Sequence, residues 1–162
     1  SDSNIFFDLL SVDLLNDFFL LPCEITTTDF VISEIIKPEQ LEKLQLFIDS
    51  KKLDVINFVN DEINKIFSIF QSNDNNASIT DCSVWYYAKK VDGRLLTGDS
   101  KLRKSALADN VKVSGILYIF DNFVEYGILE KELCAKKLEE LMQKNSRLPK
   151  GECEKRIVEW RE

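Results

Sequence analysis

The chain predicts an α/β fold in which a short parallel sheet is covered by helices on both faces. Runs rich in β-branched residues at 24–28, 53–58, 94–97 and 111–114 are each too short for a helix. Each is flanked by apolar residues at helical spacing. Strands that alternate with helices in this way pair in parallel, with the helices serving as crossovers.

In chain order, the first helical pattern covers residues 5–10. It follows Ser1-Asp2-Ser3-Asn4 directly, so Asp2 stands at the exit of a strand whose apolar residues would precede it. After the run at 24–28, Pro38 opens a helix over 39–50 with Leu41, Leu44, Phe47 and Ile48 on one face. A second stripe, Ile63, Ile66, Phe67 and Phe70, marks a helix over 60–72; both stripes are predicted to be core. Ser78 and Asp81 form a capping-box pattern that opens the helix carrying Trp85, Tyr86 and Ala88, and Asp92-Gly93 ends it. The run at 94–97 leads through Gly98 to the helix of Leu102, Ala106 and Leu107. The run at 111–114 begins the next unit, and helices follow over 116–126 and 130–144. Beyond Pro149 the composition turns charged, and 150–162 forms a last amphipathic helix through Cys153, Ile157 and Trp160.

At 162 residues and 44% hydrophobic, the chain can bury one good core, which predicts one globular domain. No apolar run approaches the roughly 18–20 residues of a membrane span, and the N-terminus has no secretory pattern, which predicts a soluble, cytoplasmic protein. Cys23, Cys82, Cys134 and Cys153 form no Cys-x-x-Cys pair and are expected to be buried or half-buried thiols. Histidine is absent. That removes Ser-His-Asp and Cys-His nucleophile systems, zinc sites of the His-Glu-x-x-His kind, and imidazole as a general base. The five glycines are too scattered for a phosphate-cradling loop. Carboxylates are the main chemistry left.

Four of them, Asp2, Glu34, Asp81 and Asp99, stand where a strand or loop hands over to a helix. Singly, each has an ordinary explanation as a helix cap or a solvated helix residue. Jointly they suggest a site, because residues at the carboxyl ends of neighbouring parallel strands meet in one crevice. Clustered carboxylates without cationic partners are costly unless a divalent cation fills the cluster.

The order Asp2-Ser3-Asn4, Ser33-Glu34-Ile35, Asp81 opening a central helix, and Leu95-Leu96-Thr97-Gly98-Asp99 with Leu102 and Arg103 behind it resembles the PIN-domain family. The resemblance covers 1–126 and implies a three-layer α/β/α nuclease domain there, while 127–162 extends past it and is expected to be a C-terminal helical extension packed on the same domain. It implies that Asp2, Glu34, Asp81 and Asp99 are catalytic and bind Mg²⁺ or Mn²⁺, and that Asn4 and Thr97 are the polar neighbours that orient them or touch substrate. It further implies an endoribonuclease acting on RNA, the toxin of a toxin–antitoxin pair held in check by a small antitoxin protein, and a homodimer. A groove for the antitoxin helix is expected along Ile5, Phe6, Leu9 and the helix after Pro38, with 150–162 covering it or packing elsewhere.

A net charge of −7 is poor for gripping a polyanion, so a nuclease needs local basic residues. Lys101, Arg103 and Lys104 follow Asp99, and Lys89, Lys90 and Arg94 precede it, either as a basic rim or as an ordinary solvated face. Trp85, Tyr86 and Tyr87 read as core or interface rather than base-stacking platforms. Two rivals stand beside the nuclease: a catalytically weak PIN-like binding or assembly module, and a receiver- or phosphatase-like domain. The second is disfavoured because Asp2-Ser3-Asn4 lacks the Asp-x-Asp pair of such phosphatases.

Overall fold

The computed structural model describes residues 1–72 and 76–162. Two compact units divide the chain: Ser1–Ile5 with Glu24–Gly115, and Phe6–Cys23 with Ile116–Glu162. Helix α1 (Ser3–Ser11) begins in the first unit and continues into the second, where α2 (Leu15–Phe18) follows it.

In the first unit β1 (Ile25–Thr28) runs parallel to β2 (Leu53–Ile56), pairing Ile25 with Leu53 and Thr28 with Ile56. Strand β3 (Arg94–Leu96) runs parallel to β4 (Lys112–Ser114), pairing Leu95 with Val113. Parallel pairs require crossovers. These are α3 (Asp29–Glu34) and α4 (Pro38–Asp49) between β1 and β2, and α7 (Ser100–Ala108) between β3 and β4. Helices α5 (Asn60–Ser72) and α6 (Ile79–Val91) connect the two ladders. Residues 1 and 2 bridge the ladders directly. The Ser1 amino group donates to Thr26 O at 2.7 Å, Thr27 Oγ1 donates to Ser1 O at 2.8 Å, and Asp2 N donates to Leu96 O at 3.0 Å. Asp2 therefore occupies the place of a strand exit between β1 and β3.

Helix α6 is the hub of this unit, packing on β1, β3, α3, α5 and α7. Its capping box is complete: Asp81 N donates to Ser78 Oγ at 3.0 Å while Ser78 N donates to Asp81 Oδ2 at 3.1 Å. Asp92, not Gly93, takes the left-handed turn that ends it, with φ 52°. A hydrogen-bonded chain of buried hydroxyls ties α6 to β1 and α3. Val31 N donates to Thr28 Oγ1 at 3.3 Å, Thr28 and Ser83 hydroxyls meet at 2.9 Å, and Ser83 Oγ donates to Thr80 O at 2.6 Å. Trp85, Tyr86 and Tyr87 are partly buried beside Phe58, as a core reading requires.

Four expectations are corrected. Glu34 is the last residue of α3 rather than near a helix start; six-residue α3 is too short to show periodicity and forms because Thr28 caps it. Of the two stripes, only Leu44 and Ile66 are fully buried, while Phe67 and Phe70 are exposed. Helix α5 packs mainly on α6, and one neighbour covers a narrower stripe than the sequence offers. Cys23 is exposed, whereas Cys82, Cys134 and Cys153 are buried. Ile5, Phe6 and Leu9, expected along a groove, are fully buried.

The second unit is helical, adding α8 (Ile116–Glu125), α9 (Lys131–Lys144) and α10 (Lys150–Trp160). Helix α9 packs on α8 and α10, and α2 packs on α8. The core includes Leu9, Phe18, Phe120, Phe123, Leu138 and Leu141. Phe6 meets Phe18 edge to face at 6.4 Å, and Phe120 meets Phe123 at 5.9 Å. Lysines on α9 satisfy carbonyls at the end of α1, Lys144 Nζ on Ser11 O and Lys137 Nζ just beyond on Val12 O. Helix α10 buries Cys153 and Trp160, and Arg156 forks onto Asp121 of α8 at 2.8 and 2.9 Å. Among the described residues no helix is long and apolar enough to cross a membrane.

Candidate active site

Asp2 is the most buried acid of the predicted set, 2% exposed. Thr97, also buried, donates from Oγ1 to Asp2 Oδ2 at 2.7 Å, and Ser3 Oγ lies 3.3 Å from Oδ1. Burial pushes the Asp2 carboxyl above its ordinary range, and the charge of Glu34 adds to the push. Hydrogen bonds from Thr97 and Ser3 and the Ser1 amino group oppose it.

Asp99 caps α7, accepting Lys101 N at 2.8 Å and Leu102 N at 3.2 Å on Oδ1. Its own backbone N donates to Thr97 Oγ1 at 3.1 Å. One threonine hydroxyl therefore joins the two aspartates, donating to Asp2 and accepting from Asp99. Asp81 faces them from the first turn of α6. Its carboxyl is pushed up from 3.8 to about 6, first by burial and then by the charges of Asp2 and Asp99, against the Ser78 hydrogen bonds. Glu34 is exposed, and Ser3 Oγ donates to its Oε2 at 2.9 Å.

All four predicted acids thus belong to one electrostatic neighbourhood. Asp2 links to Glu34 through Ser3 and to Asp99 through Thr97, and Asp81 feels both Asp2 and Asp99. None of them joins an ion pair with a lysine or arginine among the described residues. Nor is there, among the described residues, a ready-assembled group of three or more metal-ligating side chains. Hydrogen bonding explains the spacing, since Thr97 and Ser3 hold Asp2 while backbone amides hold one oxygen each of Asp81 and Asp99. The donor set itself, all carboxylate and hydroxyl oxygen without nitrogen or sulfur, fits a hard divalent cation.

Of the two predicted polar neighbours, Thr97 is at the centre of the cluster. Asn4 is exposed, and its side chain makes no hydrogen bond among the described residues. Ser3 takes the inward position instead. In helix α1, Ser3 is the i, i+3 neighbour of buried Phe6, while Asn4 shares a face with Asp8 and Ser11. That periodicity is the signal in the sequence that singles out Ser3. The predicted basic residues divide as well. Lys89 pairs with Asp109, Lys90 with Glu62, and Arg94 reaches Ser114, while Lys101, Arg103 and Lys104 on α7 are exposed and in no ion pair among the described residues.

A family model, DUF3368, described as a PIN domain, matches residues 1–162. The chain belongs to the PIN-domain family. PIN domains are nuclease-type folds and generally use divalent metal ions, which agrees with the all-oxygen donor set of this one. The match spans both compact units, so the helices of the second unit lie within the PIN-domain match. No curated protein matches the chain.

Proposed function

We propose that this PIN domain is a divalent-metal-dependent endoribonuclease that hydrolyses RNA phosphodiester bonds, and that it is the toxin of a toxin–antitoxin pair. The supporting observation is the unneutralised charge cluster, where burial and the charges of Asp2 and Asp99 push the Asp81 carboxyl up to about 6. In this reading Asp2, Asp81 and Asp99 hold the cation, and Glu34 reaches it directly or through a water. Bound Mg²⁺ or Mn²⁺ supplies a water of lowered pKa and offsets charge on the leaving oxygen. Thr97 fixes the rotamer of Asp2 and the backbone of Asp99, so two ligands are oriented before metal arrives. Lys101, Arg103 and Lys104, exposed on the helix that Asp99 caps, meet backbone phosphates beside the site.

An acidic centre of this kind suits an antitoxin that inserts an arginine or lysine. Homodimerisation is part of the same proposal. The rival, a catalytically weak PIN-like binding or assembly module, is favoured by one observation: no three ligands are pre-assembled among the described residues. Purified protein incubated with RNA or single-stranded DNA in Mg²⁺, Mn²⁺ or EDTA separates the readings. Metal-dependent RNA cleavage supports the nuclease, metal uptake without cleavage supports the binding module, and cleavage of DNA alone overturns the assignment to RNA.

A further inference from the structure

We propose that Ser3 is a positioning residue that holds Glu34 toward Asp2 and so keeps the fourth carboxylate within reach of the metal. The inference rests on the reading of the acid cluster as a metal centre.

Glu34 ends a six-residue helix, is exposed, and its carboxylate faces the negative charge of Asp2. Repulsion and side-chain entropy both favour its swinging into water. What opposes them is the Ser3 hydroxyl, 2.9 Å from Glu34 Oε2 and 3.3 Å from Asp2 Oδ1. Among the described residues this is the hydrogen bond that the Glu34 side chain makes. Ser3 is 5% exposed, on the inward face of the first turn of α1, so its hydroxyl has little freedom to turn elsewhere. One hydroxyl carries one proton, and placed between two carboxylates it gives each a share of a donor while keeping them apart by its own width. A cation entering the site would find the Glu34 carboxylate already turned toward Asp2, with the Ser3 hydroxyl keeping its proton and still donating. The neighbouring Asn4 has a polar side chain of similar kind but points outward and cannot do this.

The test measures Mn²⁺ affinity by calorimetry on the full chain, without substrate, for the unaltered protein, Ser3→Ala, Ser3→Cys and Ser3→Thr. Removal of a group that orients a ligand costs about ten- to a hundred-fold in metal affinity. Ser3→Ala and Ser3→Cys should weaken Mn²⁺ by about ten-fold or more, while Ser3→Thr, which keeps the hydroxyl, should bind within about three-fold of the parent. Glu34→Gln should weaken binding similarly, and adding it to Ser3→Ala should cause little further loss, because the serine acts through Glu34. Metal-free melting temperatures check folding, and Ser3→Cys, nearly the same size but a poor donor, keeps the test open if Ser3→Ala folds badly. Unchanged Mn²⁺ affinity in Ser3→Cys, or additive losses in the double variant, overturns the role of Ser3 alone. Absence of Mn²⁺ binding by the unaltered protein overturns the metal centre, and this inference with it.

Discussion

At the residue scale, Asp99 and Asp81 carry different signatures of one site. Asp99 caps α7 through Oδ1, and in the proposed metal centre it also offers charge to the cation. Asparagine retains the cap but not the charge, so Asp99→Asn should fold with a stability change under about 1 kcal/mol and lose metal-dependent RNA cleavage by about a hundred-fold or more. Retained cleavage in this variant would remove Asp99 from the ligand set. Asp81 predicts a pH dependence. Its folded-state carboxyl titrates near 6 against an ordinary 3.8, so between those values the folded protein holds a proton that the unfolded chain has released. The contribution of protonated Asp81 to the stability of the metal-free protein should therefore be fully present below about 4 and be lost as pH rises through about 6. Asp81→Asn should flatten that decline in urea titrations run across the same range. An unaltered slope would show that Asp81 is not the group responsible.

At the element scale, helix ends and one helix face give predictions away from the carboxylates. Lys51 holds the left-handed turn after α4 with φ 62°, a conformation that favours glycine. Lys51→Gly should raise stability by roughly 1 kcal/mol, read as a higher melting temperature with cleavage unchanged. Helix α10 is anchored by Trp160, 9% exposed, and by the Arg156 fork on Asp121. Trp160→Ala should cost about 3 kcal/mol, and deleting residues 147–162 should lower both solubility and melting temperature. A truncated protein as stable and soluble as the parent would mark the helix as dispensable. On α7, replacing Lys101, Arg103 and Lys104 with glutamine should lower the slope of log affinity against log salt by about 2 for single-stranded RNA. Cleavage at saturating RNA should change little, since none of the three is placed among the metal ligands.

For the whole molecule, the consequence of an unneutralised acid cluster is linkage to metal. A cation that binds the folded chain and not the unfolded one stabilises it by about 2.7 kcal/mol at a hundred times its dissociation constant. If the proposed metal centre is right, millimolar Mn²⁺ or Mg²⁺ should raise the melting temperature, more at pH 7 than at pH 5, because in that reading Asp81 loses its proton to bind. Ca²⁺, larger and less exacting in geometry, serves as a comparison for whether the site prefers the smaller ions. A melting temperature indifferent to all three would leave the PIN fold without a metal centre in this chain.

The sequence by itself determined the alternation of helices with short strands, because that alternation is local: short apolar runs at 53–56 and 94–96, a capping box at Ser78 and Asp81, and a helix opened by Asp99 are all written in neighbouring residues. It also contains no histidine, which leaves carboxylates as the side chains on which the proposed chemistry is built. Tertiary structure alone decided which polar groups touch. Thr97 reaches Asp2 across 95 positions and Ser3 reaches Glu34 across 31, distances at which sequence carries no geometric information. It likewise decided burial where propensity was silent. Phe67 and Phe70 lie on an apolar stripe but stay exposed because α5 packs mainly on one neighbour, and Cys23 is exposed although its type is usually hidden. Periodicity says which face of a helix is apolar; only packing says how much of that face finds a partner.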